Sequence, residues 1–340
     1  MKTLIKISPL FFILFLTVIV FSCKKDKVPS IEDLLPIGNS GDYCPEMYNQ
    51  RTKAYADSFH KVNNLPGCIV GAEHILLEEY YYNEPILNPN NPFEFAFTRS
   101  TDEIGWNEEL CVYNFCSNQT HVLTDIVGYG IDWSVKDWII FTGKDLQLYK
   151  IKSNGDSLIQ LTDTGTWNDN ARWNLDGTKY LYLDASSNFK ICDENGEFIQ
   201  YTGFDMTSWV WLNESEIIYA NQGNTELRKY NLETEVISTI AVETGIAPAG
   251  DRITIDENQN IYTTSDAGML RINQSGNVEL LDTNYDTYSS GYIQKLTDQK
   301  VLLQRFIGDT TYYPCTVYEA TYISILDLND NTEEYVDIPE

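Results

Sequence analysis

The chain has 340 residues and carries 50 acidic side chains against 23 basic ones, a formal net charge of −27 at pH 7. So negative a surface repels nucleic-acid phosphates and anionic lipid headgroups, which excludes nucleic-acid partners. Bound cations, cationic partners and neutral ligands remain compatible with it.

Lys2 and Lys6 open the chain, an apolar run follows from Leu10 to Phe21, and Ser22-Cys23 comes next. This order predicts a secretory leader over residues 1–22. The run is shorter than the about 20 residues that a bilayer crossing needs. Val20-Phe21-Ser22-Cys23 resembles a bacterial lipobox, which implies that Cys23 is lipidated and becomes the first mature residue. Phe21 fits that pattern loosely. Residues 23–41 then read as a flexible tether that begins Lys24-Lys25-Asp26-Lys27. The expected placement is a bacterial cell envelope, with lipid as the only membrane contact and both the periplasmic and surface faces open.

Residues 42–79 form an N-terminal extension. Pro45 to Val62 reads as an amphipathic helix, with Met47, Tyr48, Tyr55 and Phe59 on its apolar side. Cys68-Ile69-Val70-Gly71 and Ile75 to Tyr82 read as strands, one of which is available to pair with the end of the chain.

From residue 80 onward a unit of about forty residues recurs. Its clearest copy runs Leu161-Thr162-Asp163, Trp167-Asn168-Asp169-Asn170, Trp173-Asn174-Leu175-Asp176-Gly177, and then an apolar strand from Lys179 to Leu183. Leu123-Thr124-Asp125 and Trp133-Ser134 stand one unit upstream; Trp211-Leu212-Asn213, Ile255-Asp256 and Leu296-Thr297-Asp298 stand downstream. Alternating apolar and polar residues broken by Asp-Gly and Asn-Gly predict four short strands per unit. The fold class is therefore all-β: a six-bladed β-propeller over 80–340 with four-stranded antiparallel blades. The blades fall at about 80–125, 126–163, 164–203, 204–243, 244–284 and 285–340. Trp133, Trp173 and Trp211 read as blade-packing residues.

The Leu-Thr-Asp and Trp-Ser/Asn-x-Asp-Gly elements resemble the WD-type repeat of TolB-like proteins, closely in blades two and three and partially in blade four. That resemblance implies a propeller, often periplasmic, that serves as a protein-docking platform. TolB-like proteins also carry an N-terminal α/β domain, for which Pro29 to Gly67 is too short, so the TolB role is not carried over.

Six cysteines remain beyond Cys23, and spacing alone does not fix their connectivity. Cys44 with Cys68 is the preferred bridge, and Cys111 with Cys315 is a candidate for joining the first and last blades. Cys192 aligns with Ile151, Tyr230, Ile272 and Leu326 and reads as a core residue.

Chemistry-bearing motifs are scarce. There is no Gly-x-Ser-x-Gly elbow, no phosphate-cradling loop and no Asp-x-Asp-x-Asp-Gly calcium loop. His60, His74 and His121 are not expected to converge, so no metal site and no cofactor are expected. What remains is the rim of loops around the central channel, which is aromatic and acidic. Tyr129, Trp167, Asp169, Asp205, Asp286, Tyr288, Trp106 and Tyr312 are the candidate ligand-binding residues, and none is assigned as catalytic. Flat rings beside carboxylates and amides suit a polar peptide or a neutral sugar. The expectation is a non-catalytic binding or scaffolding module for an envelope protein or glycan; a carbohydrate-active enzyme using two rim carboxylates is the alternative.

Overall fold

The computed structural model describes residues 74–76, 80–101, 108–115, 117–203, 205–221, 226–242, 253–265, 268–282, 292–308, 317–330, 332–336 and 338. The described residues contain strands and turns and no helix. The helix expected over 45–62 and the strand at 68–71 lie outside them.

Six antiparallel sheets follow one another along the chain. The first blade holds β2 (Tyr81–Asn88), β3 (Asn91–Ser100), β4 (Glu109–Asn114) and β5 (Gln119–Thr124); the second holds β6 (Val127–Trp133), β7 (Trp138–Gly143), β8 (Leu148–Lys152) and β9 (Ile159–Gln160). The third is β10 (Asn168–Trp173), β11 (Lys179–Asp184), β12 (Phe189–Asp193) and β13 (Phe198–Tyr201), and the fourth is β14 (Ser208–Trp211), β15 (Glu216–Ala220), β16 (Glu226–Asn231) and β17 (Ile237–Val242). The fifth is β18 (Thr254–Ile255), β19 (Ile261–Ser265), β20 (Gly268–Ile272) and β21 (Val278–Asp282), and the sixth is β22 (Ile293–Lys295), β23 (Lys300–Gly308), β24 (Val317–Asp327) and β25 (Glu333–Tyr335). In each blade the strands pair in chain order from the channel outward.

The repeated motif works by bracing the first hairpin of its blade. Asn174 Oδ1 accepts from the backbone N–H of Thr178 and Lys179, both at 2.9 Å, and Gly177 N–H closes the turn onto Asn174 O. Ser134, Asn213 and Asp256 occupy the same place and accept from Trp138, Ser215, and Asn258 with Asn260, respectively. A short polar side chain there satisfies turn donors that no strand reaches. The outer hairpins turn on glycine. Gly155, Gly196 and Gly276 have φ of +85°, +95° and +80°, and a Cβ on Gly276 would lie 2.3 Å from Ile240 O of the neighbouring blade.

Between the sheets lie six apolar clusters, one at each junction of neighbouring blades. Ile86, Leu110, Ile131, Trp133 and Phe141 join the first blade to the second, and Ile140, Trp173, Tyr180 and Cys192 join the second to the third. Phe189, Trp209 and Trp211 join the third to the fourth; Ile218, Leu227, Ile261 and Ile272 join the fourth to the fifth. Tyr262, Met269, Val301 and Leu326 link the fifth to the sixth, and Phe95, Phe97, Tyr113, Leu302, Ile323 and Ile338 link the sixth back to the first. Six sheets with six shared cores make a closed ring. Trp133, Trp173 and Trp211 are at most 5% exposed and serve as inter-blade packing, as the repeat pattern predicts.

Polar bonds stitch the same junctions. Asp132 Oδ2 accepts from Trp173 N at 2.7 Å, Trp211 Nε1 donates to Arg172 O, Ser208 Oγ accepts from Ile253 N, and Thr254 Oγ1 donates to Ile293 O. The closing seam is bonded through backbone donors of the first blade. Thr321 Oγ1, Gln304 Oε1 and Gln294 Oε1 of the last blade accept from Tyr82 N, Glu84 N and Leu87 N of the first at 2.8, 3.0 and 2.6 Å.

The strand expected from Ile75 to Tyr82 is two elements. β1 (His74–Leu76) lies parallel to β24, pairing His74 to Val317 and Leu76 to Glu319, while Tyr81 begins the first blade. The last blade supplies four strands of its own and receives β1 in addition. β25 covers Ser324–Leu326 and β1 covers Val317–Glu319, so the two share one outer edge in tandem.

Cys111 and Cys192 carry free, buried thiols. Cys192 packs between the second and third blades, in the core position the alignment assigns to it. Cys111 sits in the core shared by the first and last blades, and burial pushes its thiol up to about 12. Cys315, its candidate partner, lies outside the described residues, as do Cys44 and Cys68.

Candidate functional site

The innermost strands of the first three blades share a distortion. Their pairing slips between Asn83 and Ile86, between Tyr129 and Asp132, and between Asp169 and Arg172. At each slip one residue has positive φ: Glu84 at 55°, Gly130 at 70° and Asn170 at 53°. These are β-bulges, which re-aim side chains at strand ends and beside binding sites. Here they turn Glu84, Tyr129 and Asp169 into one neighbourhood at the upstream end of the channel-lining strands.

Glu84 is the clasp of this neighbourhood. Its Oε2 accepts from Gly130 N at 2.6 Å and Ile131 N at 3.0 Å, and its Oε1 accepts from the Tyr292 hydroxyl at 2.7 Å. One carboxylate thus ties the first blade to the second and the sixth. A glutamate at positive φ carries strain of about 1–2 kcal/mol, which these charge-assisted bonds offset.

Asp169 is different. Burial raises its carboxyl, and the negative Glu84 raises it further; the Asn170 N–H and Arg172 pull the other way, and the result lies at about 6. Its Oδ1 is buried and has no hydrogen-bond partner. Tyr129, half-buried opposite, is pushed up to about 12 by burial and then by Asp169 and Glu84, so its hydroxyl stays a donor. The folded protein holds the Asp169 proton at pH values where the unfolded chain has released it. The contribution of this group to stability therefore falls as pH rises from about 4 to about 6. Asp169→Asn is expected to match the parent near pH 4 and to exceed it by roughly 1–2 kcal/mol above pH 7. Denaturant unfolding at pH 4.5 and 7.5 checks this; an advantage that is the same at both values refutes it.

The loop that frames the site is rigid. Asn168 is 1% exposed, and its Nδ2 donates to Gln147 Oε1, Thr164 Oγ1 and Thr166 O. Gln147 in turn donates to Thr166 O and accepts from Thr164 N. Loop bracing thus falls to Asn168, while its neighbour Asp169 stands within electrostatic reach of Glu84 and Tyr129. Trp167 stands half-buried beside this network. Asp205 is exposed in the loop before β14 and is not part of the cluster. Trp106, Asp286, Tyr288 and Tyr312 lie outside the described residues.

Sequence reading picks out Tyr129 and Asp169 but misses Glu84. A usable signal was present: Pro85, Gly130 and Asn170 each interrupt an otherwise regular inner strand at one repeat spacing, and breakers inside strands mark bulges. Among the described residues no three His, Cys, Asp or Glu side chains form a group fit to hold a metal.

No protein-family profile matches the chain, and no curated protein matches it. Solved structures do. A putative TolB from Agrobacterium tumefaciens aligns with a TM-score of 0.50 over 66% of this chain and 86% of its own, at 14% identity. The fold is that of a TolB-like, WD-type propeller. An oligogalacturonate lyase in complex with manganese aligns at a TM-score of 0.49, over 76% of this chain and 78% of its own, at 10% identity. A chain of a nidogen/laminin complex aligns at 0.48, over 71% and 86%, at 11% identity. Likenesses this distant concern the fold of the TolB-like ring and leave its ligand to be argued from its own residues.

Proposed function

We propose that this TolB-like propeller is a non-catalytic binding module of a bacterial cell envelope, tethered by lipid on Cys23, and that it takes a protein or glycan ligand at the channel mouth of its first three blades. The observation that carries this reading is the Asp169 oxygen, buried and unpartnered beside the Tyr129 ring on a braced rim. A ligand hydroxyl or amide N–H satisfies that oxygen, and the ring covers an adjacent apolar face. Glu84 argues against the enzymatic alternative. A glycosidase pair needs two carboxyls free to exchange protons or attack, whereas Glu84 is committed to three donors that hold the ring together.

Screening of the full-length protein against glycan arrays and envelope extracts tests the reading. The expected ligand loses at least tenfold in affinity with Tyr129→Ala or Asp169→Asn, while thermal unfolding shows both variants folded and the ligand is recovered unchanged. Turnover that disappears with Asp169→Asn establishes the carbohydrate-active alternative instead. Cys23→Ser is expected to move the protein from the membrane to the soluble fraction of the bacterial envelope; unchanged fractionation removes the tether.

A further inference from the structure

The exposed large apolar side chains of the described residues concentrate on the outermost strands, β5, β9, β13, β17 and β21, of the first five blades. The described residues of the sixth blade contribute none, and its outer edge is the one covered by both β25 and β1. The third blade is the extreme case. Phe198, Ile199 and Tyr201 are 53%, 45% and 50% exposed within a strand of four residues. The Phe198 and Tyr201 rings lean on each other at 4.8 Å, and the Lys190 ammonium lies 5.6 Å from the centre of the Tyr201 ring.

A groove of about 260 Å3 runs beside this edge, between β13 and the turns of the fourth blade. Ile191, Ile199 and Leu232 form its apolar wall, while Glu214, Glu233 and Lys179 stand at its margin. Carboxylates are crowded there. Glu214 is raised from its ordinary range by burial and by the neighbouring Asp176, with Asn174 and Lys179 opposing the shift. Three carboxylates against one ammonium leave the margin negative, in a protein already at −27. Among the described residues β13 is also the free edge of its sheet, with no strand on its outer side.

We infer that the outer edge of the third blade is a docking edge for an extended, basic polypeptide segment of a partner protein. The segment adds to β13 as a fifth strand, seats an apolar side chain against Ile199 and Leu232, and sets Lys or Arg against Glu214 and Glu233. Strand addition uses main-chain bonds for affinity and alternate side-chain pockets for choice. The fold contains the arrangement already, since β1 lies as an added strand on the outer edge of the last blade. A second copy of this chain is the poorer occupant, because two equally acidic edges repel one another at close range. The inference is independent of the channel-mouth reading, since it uses the perimeter of the ring.

The test uses full-length protein and a fluorescent nine-residue peptide of alternating valine and lysine, with glutamate in place of lysine as the control. The basic peptide is expected to bind, more weakly as salt rises, and to slow amide exchange at Phe198–Tyr201. Ile199→Asp is expected to weaken binding at least tenfold, and Glu214→Gln with Glu233→Gln several-fold with a shallower salt dependence. Val278→Asp, on the outermost strand β21 of the fifth blade, and Asp169→Asn at the channel mouth should leave it unchanged. All these positions except Asp169 are exposed, and thermal unfolding verifies that each variant folds. Equal binding of the acidic peptide, protection away from β13, or insensitivity to Ile199→Asp overturns the inference. So does a dimer that Ile199→Asp dissolves, which would assign the edge to a second copy.

Discussion

Glu84→Ala is expected to unfold about 10 °C below the parent protein. The substitution strips the partner from Gly130 N, Ile131 N and the Tyr292 hydroxyl at once. The two buried backbone N–H groups lose this acceptor at about 1–3 kcal/mol each, and the half-buried Tyr292 hydroxyl turns to water at smaller cost. Relief of the strained glutamate backbone is absent, because alanine at positive φ is no better placed. The sum is about 3–5 kcal/mol, and a domain of this size loses roughly 2–4 °C per kcal/mol. Glu84→Gln separates the clasp from simple bulk. Its amide oxygen can face the two backbone donors while its NH2 meets a Tyr292 hydroxyl turned to accept, so a cost of only about 1 kcal/mol is expected. Calorimetry on both variants decides the matter; an alanine variant within 2 °C of the parent removes the clasp.

Trp211→Ala is expected to be comparably damaging for a different reason. The side chain is 1% exposed in the core between the third and fourth blades, and its Nε1 donates to Arg172 O at 3.1 Å. Truncating a buried tryptophan leaves a cavity and costs about 3–5 kcal/mol. Trp211→Phe keeps most of the volume and loses the hydrogen bond, for about 1–2 kcal/mol. Denaturant midpoints for the two variants should fall in that order. Equal loss in both would show that the bond to Arg172, rather than the packing, holds the junction.

The contrast between these residues explains what the sequence makes legible. Trp211 belongs to a repeat, and the repeat is visible because its work is local: Asn174 braces a turn within five residues of itself, and the tryptophans recur at the strand ends where packing needs them. Ring closure is not local. Tyr82, Glu84 and Leu87 meet partners 207 to 239 residues away in the chain, and nothing near Thr321 or Gln304 distinguishes them from other polar strand residues. Glu84 reads as one acid among many, since its role depends on a bulge that only register reveals. Asp169 stands out for its loop and its charge, but the division of labour with Asn168 rests on side-chain placement along a bulged strand. The added strand β1 was legible in part: a strand here is expected to pair with the end of the chain and does pair with β24, but three residues carry too little pattern to set its register.

The three neighbouring bulges also bear on how many ligands the ring can hold. Six repeats could offer six equivalent seats around an axis, but the kinks occur in three adjacent spokes, while β14 pairs with β15 in unbroken register. The hub is thereby lopsided, with one half distinguished from the other instead of a rotationally repeated motif. On the channel-mouth reading proposed above, the expected stoichiometry at the hub is therefore a single guest, held off-centre and in one orientation.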